Sequence, residues 1–202
     1  MSIVMVGSTS GSITLQEPAV AGSTVLDLPA TSGTILTTGS SGQSIPKAAL
    51  PTGSVLQVVQ GSTSTTTTTT SQSYSDTTLT ASITPTSATS KILVLVNQTY
   101  RTQSSASNTF GGFRLLRGAT AIWTPVADGT GPYSHGISAT GATFTQLYNT
   151  WSIQVLDSPA TTSSTTYKTQ FAVYTTANTL IAQLNDSVTN QSSYITLMEI
   201  AA

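Results

Sequence analysis

The sequence predicts an all-β chain, with an extended N-terminal arm or stalk followed by a C-terminal β-sandwich of jelly-roll-like character. Three observations predict it. Ser and Thr supply about a third of the residues; Thr suits a pleated surface, and both compete with helix formation through local hydrogen bonds. Apolar residues recur in short alternating or continuous runs, about nine or ten of them, separated by Gly, Pro and Ser/Thr turns. No segment carries a helical period.

Composition narrows the function. Charged residues are 6% of the chain, where about 25% is usual. Six basic and seven acidic residues stand singly and leave a net charge of −1. No basic patch exists to displace counterions from phosphates, which excludes nucleic acid as a partner. No apolar run is long enough for a membrane-spanning helix, and the opening MSIVMVGSTS lacks the basic start of a signal peptide. Without cysteine there are no disulfides or thiolate metal sites. With one histidine, His135, a zinc site would need carboxylates recruited from afar. No cofactor or metal is expected. Stability must come from burial, ladder hydrogen bonds and assembly.

In chain order, residues 1–10 read as a docking tip. Residues 11–53 read as an extended arm and connector. Within them GSITLQEPAVAGSTVLDLPATSGTILTT holds short apolar bursts broken by Gly and Pro. Strands this short cannot bury their own apolar faces, so Ile13, Leu15, Val25, Leu28, Ile35 and Leu36 are expected at an interface between interlaced subunits. A Gly/Ser linker, Gly39–Ala48, follows, and Pro46 and Pro51 keep the connector extended.

Residues 54–202 have the texture of a globular β domain. SVLQVVQ is its first strand, and the low-complexity TSTTTTTTS is a strand or hairpin arm. SYSDTTLTASITP sets Leu79, Ala81 and Ile83 on one face. KILVLVNQTYR is the strongest strand, apolar without interruption from Ile92 to Val96, as expected of a strand covered on both faces, at a sandwich centre or against a subunit neighbour. FRLLR and Thr120–Val126 make a hairpin around Gly118–Ala119. A glycine-rich loop follows, Ala127–Gly141. ATFTQLYNTWSIQVLDSP, TTYKTQFAVYTT, TLIAQLND and YITLMEI complete the set.

The arm segment, the IPKAALPTGSVLQVVQ connector, and then KILVLV, FRLLRG, LDSPATTSSTTYK and YITLMEIAA resemble, in kind and order, virion structural proteins of tailed bacteriophages, tail-fibre proteins in particular. The resemblance covers most of residues 11–202. It implies a non-enzymatic virion protein: a homotrimeric fibre or fibre-like appendage with its N-terminal segments interlaced in a stalk and its C-terminal domains in a knob. The arm would anchor it to other virion proteins, and the knob would contact the host surface. Localisation is then the virion, assembled in the host cytoplasm. Such fibres usually carry a much longer shaft, and about ten residues precede the arm here. A capsid decoration or cement protein is therefore the second expectation and a glycan depolymerase the third.

The acidic residues stand apart, whereas glycan hydrolysis uses paired carboxylates, so no catalytic residue is expected. Trp123, Tyr133 and His135 lie in or beside a loop that is either simply exposed or offers stacking and hydrogen-bonding groups to a host cell-surface glycan. Asp157 before Ser158–Pro159 is expected to bond nearby backbone amides in a turn. Arg114 and Arg117 are expected at solvated strand ends or in inter-subunit pairs. Trp151, alternating with Ile153 and Val155, belongs to the core or a subunit interface. Glu199 is expected near a three-fold axis, where burial would demand a partner such as Arg or Lys.

Overall fold

The computed structural model describes residues 3–6, 12–15, 50–104, 108–125, 135–138, 145–183 and 191–202. The chain divides into two compact units, Met1–Ile45 and Pro46–Ala202. In the first, β1 (Ile3–Val6) and β2 (Ser12–Leu15) form an antiparallel ladder that pairs Ile3 with Leu15 and Met5 with Ile13. The segment read as a docking tip thus contains a strand. Its IVMV run is apolar and β-branched at three of four positions, which suits a strand, and β2 finds its ladder partner within its own chain. Val25, Leu28, Ile35 and Leu36 lie outside the described residues.

The second unit is all-β, with two antiparallel sheets and no helix among the described residues. The six-stranded sheet is built around β6 (Lys91–Ser104), the longest strand. Along one edge of β6 runs β10 (Thr145–Asp157), paired from Ile92 to Ser104. A strand has only two edges, so the other is shared by β13 (Ser193–Ile200), which takes residues 91–97, and β12 (Asn178–Ala182), which takes 100–104. Outside them lie β3 (Val55–Thr63), paired to β13, and β4 (Thr67–Thr69), paired to β12. The low-complexity threonine run therefore supplies a three-residue edge strand, short as edges usually are.

The five-stranded sheet places β11 (Thr165–Val173) between β5 (Ser75–Ile83) and β7 (Asn108–Arg117). The far edge of β7 pairs with β8 (Thr120–Trp123) and with β9 (His135–Ser138). The β7–β8 turn sets Gly118 at φ 57°, a left-handed backbone that glycine adopts without a side-chain clash. Strand β9 falls inside the stretch read from sequence as one glycine-rich loop. It covers Asn108–Gly111, where β7 runs on beyond β8 and would otherwise leave its ladder groups unpaired.

Period-two alternation directs one face of each sheet inwards. Leu79, Ile83, Phe113, Leu115, Tyr167, Phe171 and Val173 of the five-stranded sheet pack in one core with Ile92, Val94, Val96, Tyr100, Trp151, Leu180, Ile195 and Leu197 of the other. Four aromatic rings form its centre. Phe113 stacks on Trp151 at 5.2 Å and on Phe171 at 6.2 Å, and meets Tyr100 edge-on at 5.3 Å. Burial pushes the Tyr100 hydroxyl pKa up to about 12, as expected for an aromatic whose charged form has lost its water.

Polar side chains close the sandwich rim. Arg117 Nη1 donates to both oxygens of Asp157, at 2.8 and 2.9 Å, and the buried Tyr167 hydroxyl donates to Asp157 Oδ2 at 2.7 Å. Burial first, and then the Asp157 carboxylate, push the Tyr167 pKa up. Asp157 was expected to bond turn amides. A guanidinium and a phenol reached across the fold take it instead, and charge-assisted bonds are the stronger ones. Arg114 is half-buried and engaged within its own chain: its Nε donates to Gln170 Oε1 at 2.8 Å, and its guanidinium lies 4.3 Å from the Tyr74 ring centre.

Candidate functional site

The outer face of the six-stranded sheet is the candidate site, because it presents apolar side chains where a solvated face would be polar. Register places Val58, Met198, Leu93 and Leu156 in one row across β3, β13, β6 and β10. Val58 and Leu156 are each 55% exposed, and Leu93 and Met198 are half-buried. One row towards the chain's end, Ile200 pairs with both Val55 and Lys91. On the other side lie Gln60, Thr196, Leu95 and Gln154, and then Ser62, Tyr194, Asn97 and Ser152. Leu95, Asn97, Ser152, Gln154, Tyr194 and Thr196 line a shallow groove of about 470 Å³. Tyr194 is 43% exposed there.

This surface can bury apolar area and offer neutral hydrogen-bonding groups. The charge on it is Lys91 alone, among the outward positions of these rows. At the far end of β6 and β10, Arg101 Nη1 donates to the Tyr148 hydroxyl at 3.3 Å, and its guanidinium lies 5.7 Å from that ring's centre.

The residues singled out in the sequence are dispersed. Trp123 is half-buried and tilts against Trp151 at 5.4 Å between ring centres, so its ring packs on the core. His135 opens β9, opposite Gly111 in β7, and Tyr133 lies outside the described residues. Ile13 and Leu15 belong to β2 in the separate N-terminal unit. Trp151, 3% exposed, is in the core of its own chain.

Glu199 is fully buried in the sandwich of its own chain, and its partners are neutral. The Thr86 backbone N–H and the Thr86 hydroxyl each donate to Oε1 at 2.7 Å, and Gln57 Nε2 donates to Oε2 at 2.6 Å. Gln57 Nε2 also lies 2.7 Å from the Thr84 carbonyl oxygen. The carboxylate thus pins the β5–β6 loop and β3 to the last strand, and no Arg or Lys is needed. Burial alone raises a carboxyl pKa; the bonds from Thr86 and Gln57 outweigh it and hold Glu199 down at about 2.

Because that value lies below the ordinary 4.5, the stabilisation is complete above about pH 4.5 and is lost as pH falls towards 2. Glu199→Gln is expected to cost about 2 kcal/mol at pH 7. In urea unfolding at a series of pH values, the gap between wild type and variant should close between pH 4.5 and 2. A gap independent of pH in that window would mean the carboxylate is not the group responsible.

Among the described residues no cluster of three His, Asp or Glu side chains could hold a metal ion. The carboxylates of Asp76, Asp157 and Glu199 are each engaged. Asp76 bonds Lys168 Nζ at 2.7 Å and Gln170 Nε2 at 2.6 Å, and the Lys168 bond lowers its pKa despite partial burial. Asp157 and Glu199 both pair with Ile92, one from each side, which sets their strand positions about 10 Å apart. The residues of the outer face were missed in the sequence because Val58, Leu156 and Met198 sit in three distant segments, and only register joins them. One signal was available: the uninterrupted KILVLV run.

No protein-family model matches the chain, and no curated protein matches it.

Proposed function

We propose that the protein is a non-enzymatic structural component of a tailed-phage virion, a homotrimeric fibre or fibre-like appendage that contributes to host attachment. The observation that carries this reading is the division of the chain into a small N-terminal unit, Met1–Ile45, and a two-sheet β unit, Pro46–Ala202. That division fits an anchoring arm followed by a knob of jelly-roll type. The fibre-like order of segments in the sequence supports it, as does the engagement of Asp76, Asp157 and Glu199 by structural partners.

The test uses particles lacking the protein. Loss of adsorption to the host, restored by adding back the full chain, is the expected result. Particles that adsorb normally but lose resistance to heat or pressure would overturn attachment in favour of a decoration protein of the head. Hydrolysis of host surface glycan by the purified chain would overturn the non-enzymatic part.

A further inference from the structure

We propose that the outer face of the six-stranded sheet is the surface through which copies of this chain assemble, centred on the row Val58, Met198, Leu93 and Leu156. The inference rests on the homotrimer in the reading above and names the surface that makes it.

The face is centred on β6. Its run from Ile92 to Val96 is apolar on both sides, and a strand alternates its side chains between two faces. Ile92, Val94 and Val96 fill the core at 0–3% exposure. Leu93 and Leu95 point the other way and are half-buried, Leu93 between Met198 and Leu156 in the ladder and Leu95 between Thr196 and Gln154. Those neighbours extend the apolar surface: Val58 and Leu156 at 55% exposure, Val55 at 50%, Tyr194 at 43%, with Met198 and Ile200 half-buried. Scattered exposed apolar residues need no explanation, but a contiguous set across four strands marks a contact surface.

Charge selects the occupant. A basic or acidic partner would find no complement here, since Lys91 at the border is the one charge among these rows. Two further copies of the same neutral face, turned to a common axis, meet no like-charge repulsion and bury no unpaired ion. The chain as a whole is built the same way, with 6% charged residues.

Size agrees. Four strands about 4.8 Å apart over seven residues at about 3.3 Å each present roughly 450 Å². Three copies that turn this face to a common axis would bury roughly 1,350 Å² between them before side-chain relief is counted. Gln60, Asn97, Ser152, Gln154 and Thr196 supply the neutral polar border that such interfaces carry.

The test is light scattering on the full chain after size-exclusion chromatography, over a range of concentrations. Wild type should run as a multiple of 20.8 kDa. Val58→Lys with Leu156→Lys should run at 20.8 kDa with an unchanged far-UV spectrum, the midpoint concentration for assembly rising at least ~100-fold as two ammonium groups enter an apolar contact. Both side chains are more than half exposed in the single copy, so its fold should tolerate the change. Should that variant misfold, the neutral pair Val58→Thr and Leu156→Gln must raise the midpoint in the same direction; no rise would overturn the proposal.

An assembled wild type whose lysine variant assembles equally well would place the interface elsewhere and overturn this face, leaving the homotrimer standing. A wild type at 20.8 kDa throughout would overturn both.

Discussion

Phe113→Ala is expected to destabilise the fold by about 3–5 kcal/mol, a third or more of the stability of an ordinary domain. Phe113 is fully buried, and its ring touches three others. It stacks on Trp151 with 17° between planes and on Phe171 with 16°, and takes Tyr100 edge-on at 61°. Truncation removes the transfer term for the ring, opens a cavity, and leaves three rings from β6, β10 and β11 without their common neighbour. Those rings belong to both sheets, so the cavity has no flexible wall that could collapse into it. At about 2–4 °C per kcal/mol for a chain of this size, the thermal midpoint should fall by about 6–20 °C, and the near-UV signal of Trp151 should weaken in the folded state. Phe113→Leu keeps most of the volume and should cost about 1–2 kcal/mol. A Phe113→Ala midpoint within 2 °C of wild type would show that these rings do not form the centre of the core.

Gly61→Ala should cost about 3 kcal/mol or more, and Gly61→Val should leave no folded sandwich. The position needs no special backbone angle; the reason is the approach of β3 to β5. A Cβ at Gly61 would run into the Thr80 carbonyl oxygen and lie 3.0 Å from the Ala81 Cβ. Neither obstacle is the tip of a flexible side chain. The two strands would have to separate, and with them the Thr63–Thr78 hydroxyl pair at 3.0 Å and the bond from Thr78 Oγ1 to the Thr65 carbonyl at 3.2 Å. Overpacking of this kind costs about 1–3 kcal/mol even where side chains can adjust. Gly111 is the internal control. A Cβ there meets Leu180 Cδ2 at 3.1 Å and the Ala172 carbonyl at 3.2 Å. Both need give by only a few tenths of an ångström, so Gly111→Ala should cost only about 1 kcal/mol. Urea unfolding of the two variants side by side checks the order; equal costs would remove the close approach as the cause.

Much of the fold was legible because strands announce themselves locally. Leu79, Ala81 and Ile83 alternate in the sequence and are all buried, as are Tyr167, Thr169, Phe171 and Val173. The KILVLV run announced the central strand, and Gly118 its hairpin turn. Strand β9 was not legible: HGIS has little strand composition and pairs because β7 leaves an edge to be covered. Neither was the burial of Glu199 against neutral partners. Gln57 is 142 residues away and Thr86 is 113, and no local pattern couples them.

The candidate site divides along the same line. That β6 carries apolar side chains on both faces was written in its own residues. That Val58, Met198 and Leu156 extend its uncovered face was not, because each belongs to a different strand. Composition and period-two patterning alone determined an all-β chain, low in charge, with one strand apolar without interruption from Ile92 to Val96. Tertiary structure decided which strands share a sheet, which row each residue joins, which face is inside, and which polar groups meet. The physical reason is that alternation is a property of neighbours along the chain, whereas register and sheet order are set by pairings between segments far apart in sequence.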